Sequence, residues 1–148
     1  MSLVRNTRQI AYGLTLFFIA LSGFAQMPIF KRYYIADIPG LGWLDQFYVT
    51  HVLHYGFAAF FIGFSVYAGL DFVLTKKKIS GLTASGLVKI ALIVGLMVSG
   101  GLMVAKNLPG IYFPHALIYV INISHLGLCM VLLMVSAYTL VRKKAWIK

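Results

Sequence analysis

Four long apolar stretches, separated by short polar or charged connections, organise this chain of 148 residues. They run over about 10–27, 46–74, 85–105 and 113–141, and a helix needs about 20 apolar residues to cross the hydrocarbon of a bilayer. Pro28, Pro39, Pro109 and Pro114 all fall in or beside the connections, where a missing amide hydrogen costs least. Lys76, Lys77 and Lys78 stop the second stretch, and Arg142, Lys143 and Lys144 stop the fourth. The pattern predicts an all-α, integral membrane four-helix bundle, with residues 1–148 forming a single transmembrane domain. Arg5 and Arg8 ahead of an apolar run, with Gly23-Phe24-Ala25 at its end, also resemble a signal peptide. The expectation is nevertheless a retained membrane helix.

Composition supports the membrane reading. Hydrophobic residues make up 61% and charged residues 11% of the chain, against about 45–50% and about 25% in a soluble domain. So few charges could not cover a water-exposed surface. Lys and Arg total 13 and Asp and Glu total 3, a net charge of +10. The cations are split among short connections, which argues against a nucleic-acid surface and for the positive-inside rule. Arg5, Arg8, Lys76, Lys77, Lys78, Lys89, Arg142, Lys143, Lys144 and Lys148 share one side; Lys31, Arg32 and Lys106 lie on the other. Both termini and the middle connection are therefore expected in the cytoplasm, in a bacterial inner membrane. Lys89, a turn inside the third stretch, can snorkel back. The single cysteine, Cys129, excludes an intrachain disulfide and a cysteine-held zinc or iron–sulfur site.

The second and fourth stretches share a pattern. Tyr48-Val49, His54 and Gly56 match Tyr119-Val120, His125 and Gly127 at an offset of 71. Ser22-Gly23 and Ser99-Gly100, near the outer ends of the first and third stretches, match at an offset of 77. This is the pattern of two repeated helix hairpins related by a pseudo-twofold along the membrane normal. His54 and His125 then become equivalent positions whose imidazoles face each other, as the two axial ligands of a low-spin b-type haem do. Gly56 and Gly127 would leave room for the flat macrocycle. A ligating imidazole binds iron through one nitrogen, and its other nitrogen needs an acceptor. The bland alternative is a pair of histidines that only hydrogen-bond helices together.

His51 lies one turn from His54, with Asn122 as its repeat partner, and His115 sits near the outer surface. These two, with Asp45, are candidate quinone or haem-propionate contacts. The fourth stretch carries a polar stripe of His115, Asn122, His125, Cys129 and Ser136, expected to face the interior. Cys129 reads as a small packing residue. Asp71 is the one acid at membrane depth; it would cap against Lys76 or Lys89, or else serve an inner quinone site with Lys89 and Tyr138. The connection from Pro28 to Asp45 mixes Phe30, Tyr33, Tyr34 and Trp43 with Lys31 and Arg32. That mixture suits the headgroup level, a cofactor edge or an external subunit.

These features carry a resemblance. Histidines on the second and fourth helices, and Ser22-Gly23 near the outer end of the first, resemble the cytochrome b subunits of respiratory formate dehydrogenases and nickel–iron hydrogenases. Lys31-Arg32-Tyr33-Tyr34, Pro39-Gly40-Leu41-Gly42-Trp43 and His51-Val52-Leu53-His54 also look like small cytochrome b proteins of that group. The resemblance implies a subunit that anchors an external, periplasmic-side iron–sulfur or multihaem partner and passes electrons between it and membrane quinone through haem b. Two-haem members of the family carry a ligand on the first helix; this first stretch has no histidine, so one haem is expected, displaced toward the outside. The chain would not itself hold the substrate-converting site. A haem-free membrane anchor or assembly subunit is the alternative.

Overall fold

The computed structural model describes residues 2–27, 37–75 and 81–145, with side chains of the first helix from Thr7 onward. The described chain is all-α. Four helices form: α1 (Ser2–Ala25), α2 (Phe47–Leu74), α3 (Ala84–Ala105) and α4 (His115–Val141). A short 3-10 turn over Gly42–Asp45 precedes α2. All four helices are long and apolar enough to cross a membrane, with α1 qualifying over Thr7–Ala25. In lipid this is the form in which an open chain satisfies its own backbone amides.

The helix bounds fall close to the apolar stretches, with two instructive differences. α1 starts at Ser2, well before the apolar run, because helical hydrogen bonding continues through polar residues that hydropathy does not count. α4 starts at His115 behind Pro114, which sits at the cap position rather than within the first turn. Thr83 caps α3 by accepting a hydrogen bond from the Gly86 amide at 3.0 Å. Thr75 ends α2 by donating its hydroxyl back to the Asp71 carbonyl at 2.6 Å. The basic clusters Lys31-Arg32 and Lys76–Lys78, the aromatics Phe30, Tyr33 and Tyr34, and Lys148 lie outside the described residues.

The chain divides into two compact units, Met1–Thr75 and Lys76–Lys148. Each is an antiparallel helix hairpin: α1 packs on α2 in the first, and α3 on α4 in the second. In the first unit the 3-10 turn folds against both helices and inserts Leu44, which is 2% exposed.

The seams of the two hairpins correspond. Along α2 the residues facing α1 include Thr50, His54, Phe57 and Phe61, a spacing of four, three and four. Along α4 they are Ile121, His125, Leu128 and Leu132, each 71 positions further on. This alternation keeps one stripe against an antiparallel neighbour. Thr50, Phe61, Ile121 and Leu132 are all buried. On the facing helices, Phe18 and Ser22 correspond to Gly95 and Ser99, each 77 positions further on. Phe57 stacks on Phe18 with ring centroids 5.1 Å apart. In the second unit Leu128 instead fills the space over Gly95, where a Cβ would lie 3.1 Å from Leu128 Cδ1. The repeat legible in the sequence is thus a repeat of packing positions, with two stacked rings in the first hairpin replaced by a leucine over a glycine in the second.

Candidate functional site

Each hairpin holds its histidine in the same way. In the first, the Ser22 hydroxyl donates to the Phe18 carbonyl at 2.7 Å and lies 3.1 Å from the Ile19 carbonyl. In the second, the Ser99 hydroxyl donates to the Gly95 carbonyl at 2.8 Å and lies 3.3 Å from the Leu96 carbonyl. Both serines are buried, so each hydroxyl satisfies its own helix rather than water. His54 Nδ1 lies 3.2 Å from Ser22 Oγ, and His125 Nδ1 lies 2.9 Å from Ser99 Oγ. His54 Nδ1 also donates to the Ile19 carbonyl at 3.0 Å.

The glycine after each serine faces the ring, more closely in the first hairpin than in the second. A Cβ at Gly23 would sit 3.0 Å from His54 Cε1, and one at Gly100 would sit 3.4 Å from His125 Cε1. In both hairpins the serine hydroxyl engages the ring nitrogen; in the first the missing side chain at Gly23 also admits the ring. The sequence repeat marked Ser22-Gly23 and Ser99-Gly100, but nothing in it assigned them to the histidines. That assignment needs the antiparallel register of each hairpin.

Measured from the helix ends, the second pair is displaced from the first by the same amount on both of its helices. His54 is seven residues past Phe47, the first residue of α2, while His125 is ten past His115, the first of α4. Ser22 is three residues before the end of α1 at Ala25, and Ser99 is six before the end of α3 at Ala105. Both helices of the second hairpin thus extend three residues further beyond the Ser–His pair, about 4.5 Å. The offset of six between the two repeats comes from the loops: residues 26–46 join the helices of the first hairpin and only 106–114 those of the second, a shortening that outweighs the longer helices.

Gly56 and Gly127, expected beside a macrocycle, are exposed, and a Cβ at either would meet nothing within 4 Å. His51 belongs to the first hairpin's loop end. Its Nδ1 lies 3.0 Å from Gln26 Oε1, and its ring lies against Phe47 and Tyr55 at centroid distances of 5.3 Å and 4.4 Å. Gln26 in turn donates to the Ser22 carbonyl at 3.1 Å, which links His51 to the Ser22–His54 group. Gln26 carried no signal in the sequence, because its repeat position is Met103. Asp45 closes the 3-10 turn in the same unit and is half-buried. His115 lies in the other unit, exposed at the first position of α4. The polar stripe of α4 is split: His125, Cys129 and Ser136 are half-buried, whereas His115 and Asn122 are exposed. Helical spacing aligned them, but the seam with α3 covers only part of that arc.

Lys76 lies outside the described residues; among those residues Asp71 pairs with Arg8, not Lys89. Its carboxylate accepts from Arg8 Nη1 at 2.8 Å, and the same guanidinium donates to the Tyr67 hydroxyl at 3.1 Å. The correction follows from antiparallel pairing, which brings the start of α1 against the end of α2. Lys89 lies in the second unit, 4% exposed, and donates to the Thr139 hydroxyl instead of snorkelling out. Tyr138, the repeat partner of Tyr67, carries Lys144 over its ring at 5.0 Å, as Tyr67 carries Arg8 at 5.3 Å. In each hairpin, then, a cation–tyrosine pair marks the open end and the Ser–His pair lies toward the loop end.

Among the described residues, no three His, Cys, Asp or Glu side chains gather to hold a bare metal ion. A haem iron asks less of the protein, because the porphyrin supplies the equatorial nitrogens and only axial ligands are needed. The donor set suits that demand. A histidine whose Nδ1 is engaged by an acceptor presents the lone pair at Nε2, the tautomer a metal requires.

The fold and site define a multi-pass, all-α membrane protein built from two hairpins with a serine-anchored histidine in each. No known protein family, curated protein or solved structure matches this chain.

Proposed function

We propose that this chain is a membrane-anchoring b-type cytochrome subunit of a bacterial respiratory oxidoreductase. It takes part in electron transfer between an external iron–sulfur or multihaem subunit and membrane quinone, and does not itself convert the substrate. One observation carries the reading: each hairpin anchors a histidine by Nδ1 at the same depth relative to its serine. His54 and His125 are the candidate axial ligands of haem b, each held within its own hairpin. Ser22, Ile19 and Ser99 hold the rings, and Gly23 admits that of His54. Gly56 and Gly127 leave an uncrowded surface on the same helices for a planar group. When bound, haem supplies one-electron chemistry at its iron; the chain contributes ligation, orientation and a water-poor setting.

The candidate quinone contacts are His51 and Asp45 in the first hairpin and His115 in the second, each toward the loop end of its own hairpin. His51 is the histidine already linked to the Ser22–His54 group through Gln26. The competing inner set of Asp71, Lys89 and Tyr138 is weaker, since Asp71 is committed to Arg8 and Lys89 to Thr139. The cation distribution assigns both termini and the middle connection to the cytoplasm, which leaves the histidine end outside for the external partner.

A reduced-minus-oxidised visible spectrum of the purified full chain, loaded with hemin, is the test. A low-spin b-type band is expected. The same Ser–His bonds would also serve a haem-free anchor, as interhelical glue; absence of the band from fully loaded protein would establish that alternative.

A further inference from the structure

The two serine–histidine pairs look alike but differ in what fixes the proton. A peptide carbonyl can only accept a hydrogen bond, so the 3.0 Å approach of His54 Nδ1 to the Ile19 carbonyl requires the proton on Nδ1. Ser22 is then a supporting acceptor. Among the described residues no carbonyl takes this role at His125. Among the described residues, its Nδ1 has the Ser99 hydroxyl, at 2.9 Å. A hydroxyl can accept or donate. Two arrangements therefore compete in the second hairpin. In one, Ser99 donates to the Gly95 carbonyl at 2.8 Å and accepts from His125 Nδ1–H, which leaves the lone pair on Nε2. In the other, the Ser99 hydroxyl turns to donate to a bare Nδ1, the Gly95 carbonyl loses that donor, and Nε2 carries the proton. Only the first arrangement presents a ligating nitrogen.

We infer that Ser99 is the positioning residue that sets the tautomer of His125, whereas the tautomer of His54 is set by the Ile19 carbonyl and does not depend on Ser22. The tautomer assignment stands on the haem-free chain; its consequence for ligation rests on the cytochrome reading above. The second hairpin thus supplies the adjustable imidazole and the first the fixed one.

The test is nitrogen-15 NMR of histidine-labelled full chain in lipid nanodiscs without haem, comparing wild type, Ser22→Ala, Ser99→Ala and Ser99→Thr. In wild type both His54 and His125 should show a protonated Nδ1 and a bare Nε2. Ser99→Ala should move His125 to a mixture with protonated Nε2, while His54 in the same molecules keeps its wild-type signals and reports an intact first hairpin. Ser99→Thr, which retains the hydroxyl, should restore His125. Ser22→Ala should leave His54 unchanged. An unchanged His125 in Ser99→Ala, or an equal response of His54 to Ser22→Ala, would overturn the inference. Hemin titration of the same samples separates it from the cytochrome reading. Ser99→Ala should weaken hemin binding about 10–100-fold, the usual effect of losing a ligand's outer partner, and Ser22→Ala should weaken it less. The expected tautomers in wild type without any low-spin b-type band would sink the haem assignment and leave the role of Ser99 intact.

Discussion

Where the first hairpin stacks Phe57 on Phe18, the second sets Leu128 over Gly95. Where the first balances Arg8 with Asp71 at a half-exposed site, the second buries Lys89 against a threonine hydroxyl. The first has an added polar link, His51–Gln26, at positions occupied in the second by Asn122 and Met103. Against this drift the Ser–Gly/His arrangement is kept in both. A helix seam can be closed by a ring stack or, where a glycine lets the helices approach, by a single leucine. A bond between a buried hydroxyl and one ring nitrogen has fewer substitutes, and in the first hairpin it also needs the gap left by Gly23. Within one molecule the two hairpins therefore act as each other's control: what differs is packing, and what persists is the histidine setting.

The largest effect should come from the histidines. His54→Ala and His125→Ala should each abolish the b-type spectrum of the hemin-loaded full chain, while His51→Ala and His115→Ala retain it. Loss in the His115 variant with retention in the His125 variant would break the equivalence of the hairpins.

The glycines should separate the hairpins by tightness. A methyl at position 23 would lie 3.0 Å from His54 Cε1 and 3.3 Å from Nδ1, whereas one at 100 would lie 3.4 Å and 3.9 Å from the same atoms of His125. Gly23→Ala should therefore destabilise by about 1–3 kcal/mol, the cost of overpacking. Gly100→Ala should be near neutral, since alanine regains up to about 1 kcal/mol of helix propensity. Unfolding in mixed detergent with SDS would measure both, and an equal response would refute the tighter seam at His54.

The open ends should differ in the opposite sense. Thr139→Val removes a hydroxyl partner from a buried ammonium and should cost about 1–3 kcal/mol. Asp71→Asn removes an ion pair whose two side chains are each 40% exposed. The latter change should stay within about 1 kcal/mol. The same unfolding assay checks this pair; a larger loss from Asp71→Asn would show that the ion pair, not the buried lysine, holds its end.

The sequence alone determined the four membrane helices, because hydropathy over about 20 residues is set by composition and needs no knowledge of neighbours. It also revealed the duplication, since His54/His125 and Ser22/Ser99 recur at fixed offsets. It could not say which residues meet across a helix pair, because that depends on the antiparallel register, to which a helix nearly uniform in hydropathy gives little clue. Only the folded hairpins bring Ser22 to His54, Ser99 to His125 and Arg8 to Asp71. The same register places Gly95, a residue without a side chain, beneath Leu128. Along the polar stripe of α4, helical spacing fixes which residues share an arc, and the position of α3 decides how much of that arc its own hairpin covers. The tautomers lay further still from the sequence, since they follow from which backbone carbonyl happens to reach a ring nitrogen.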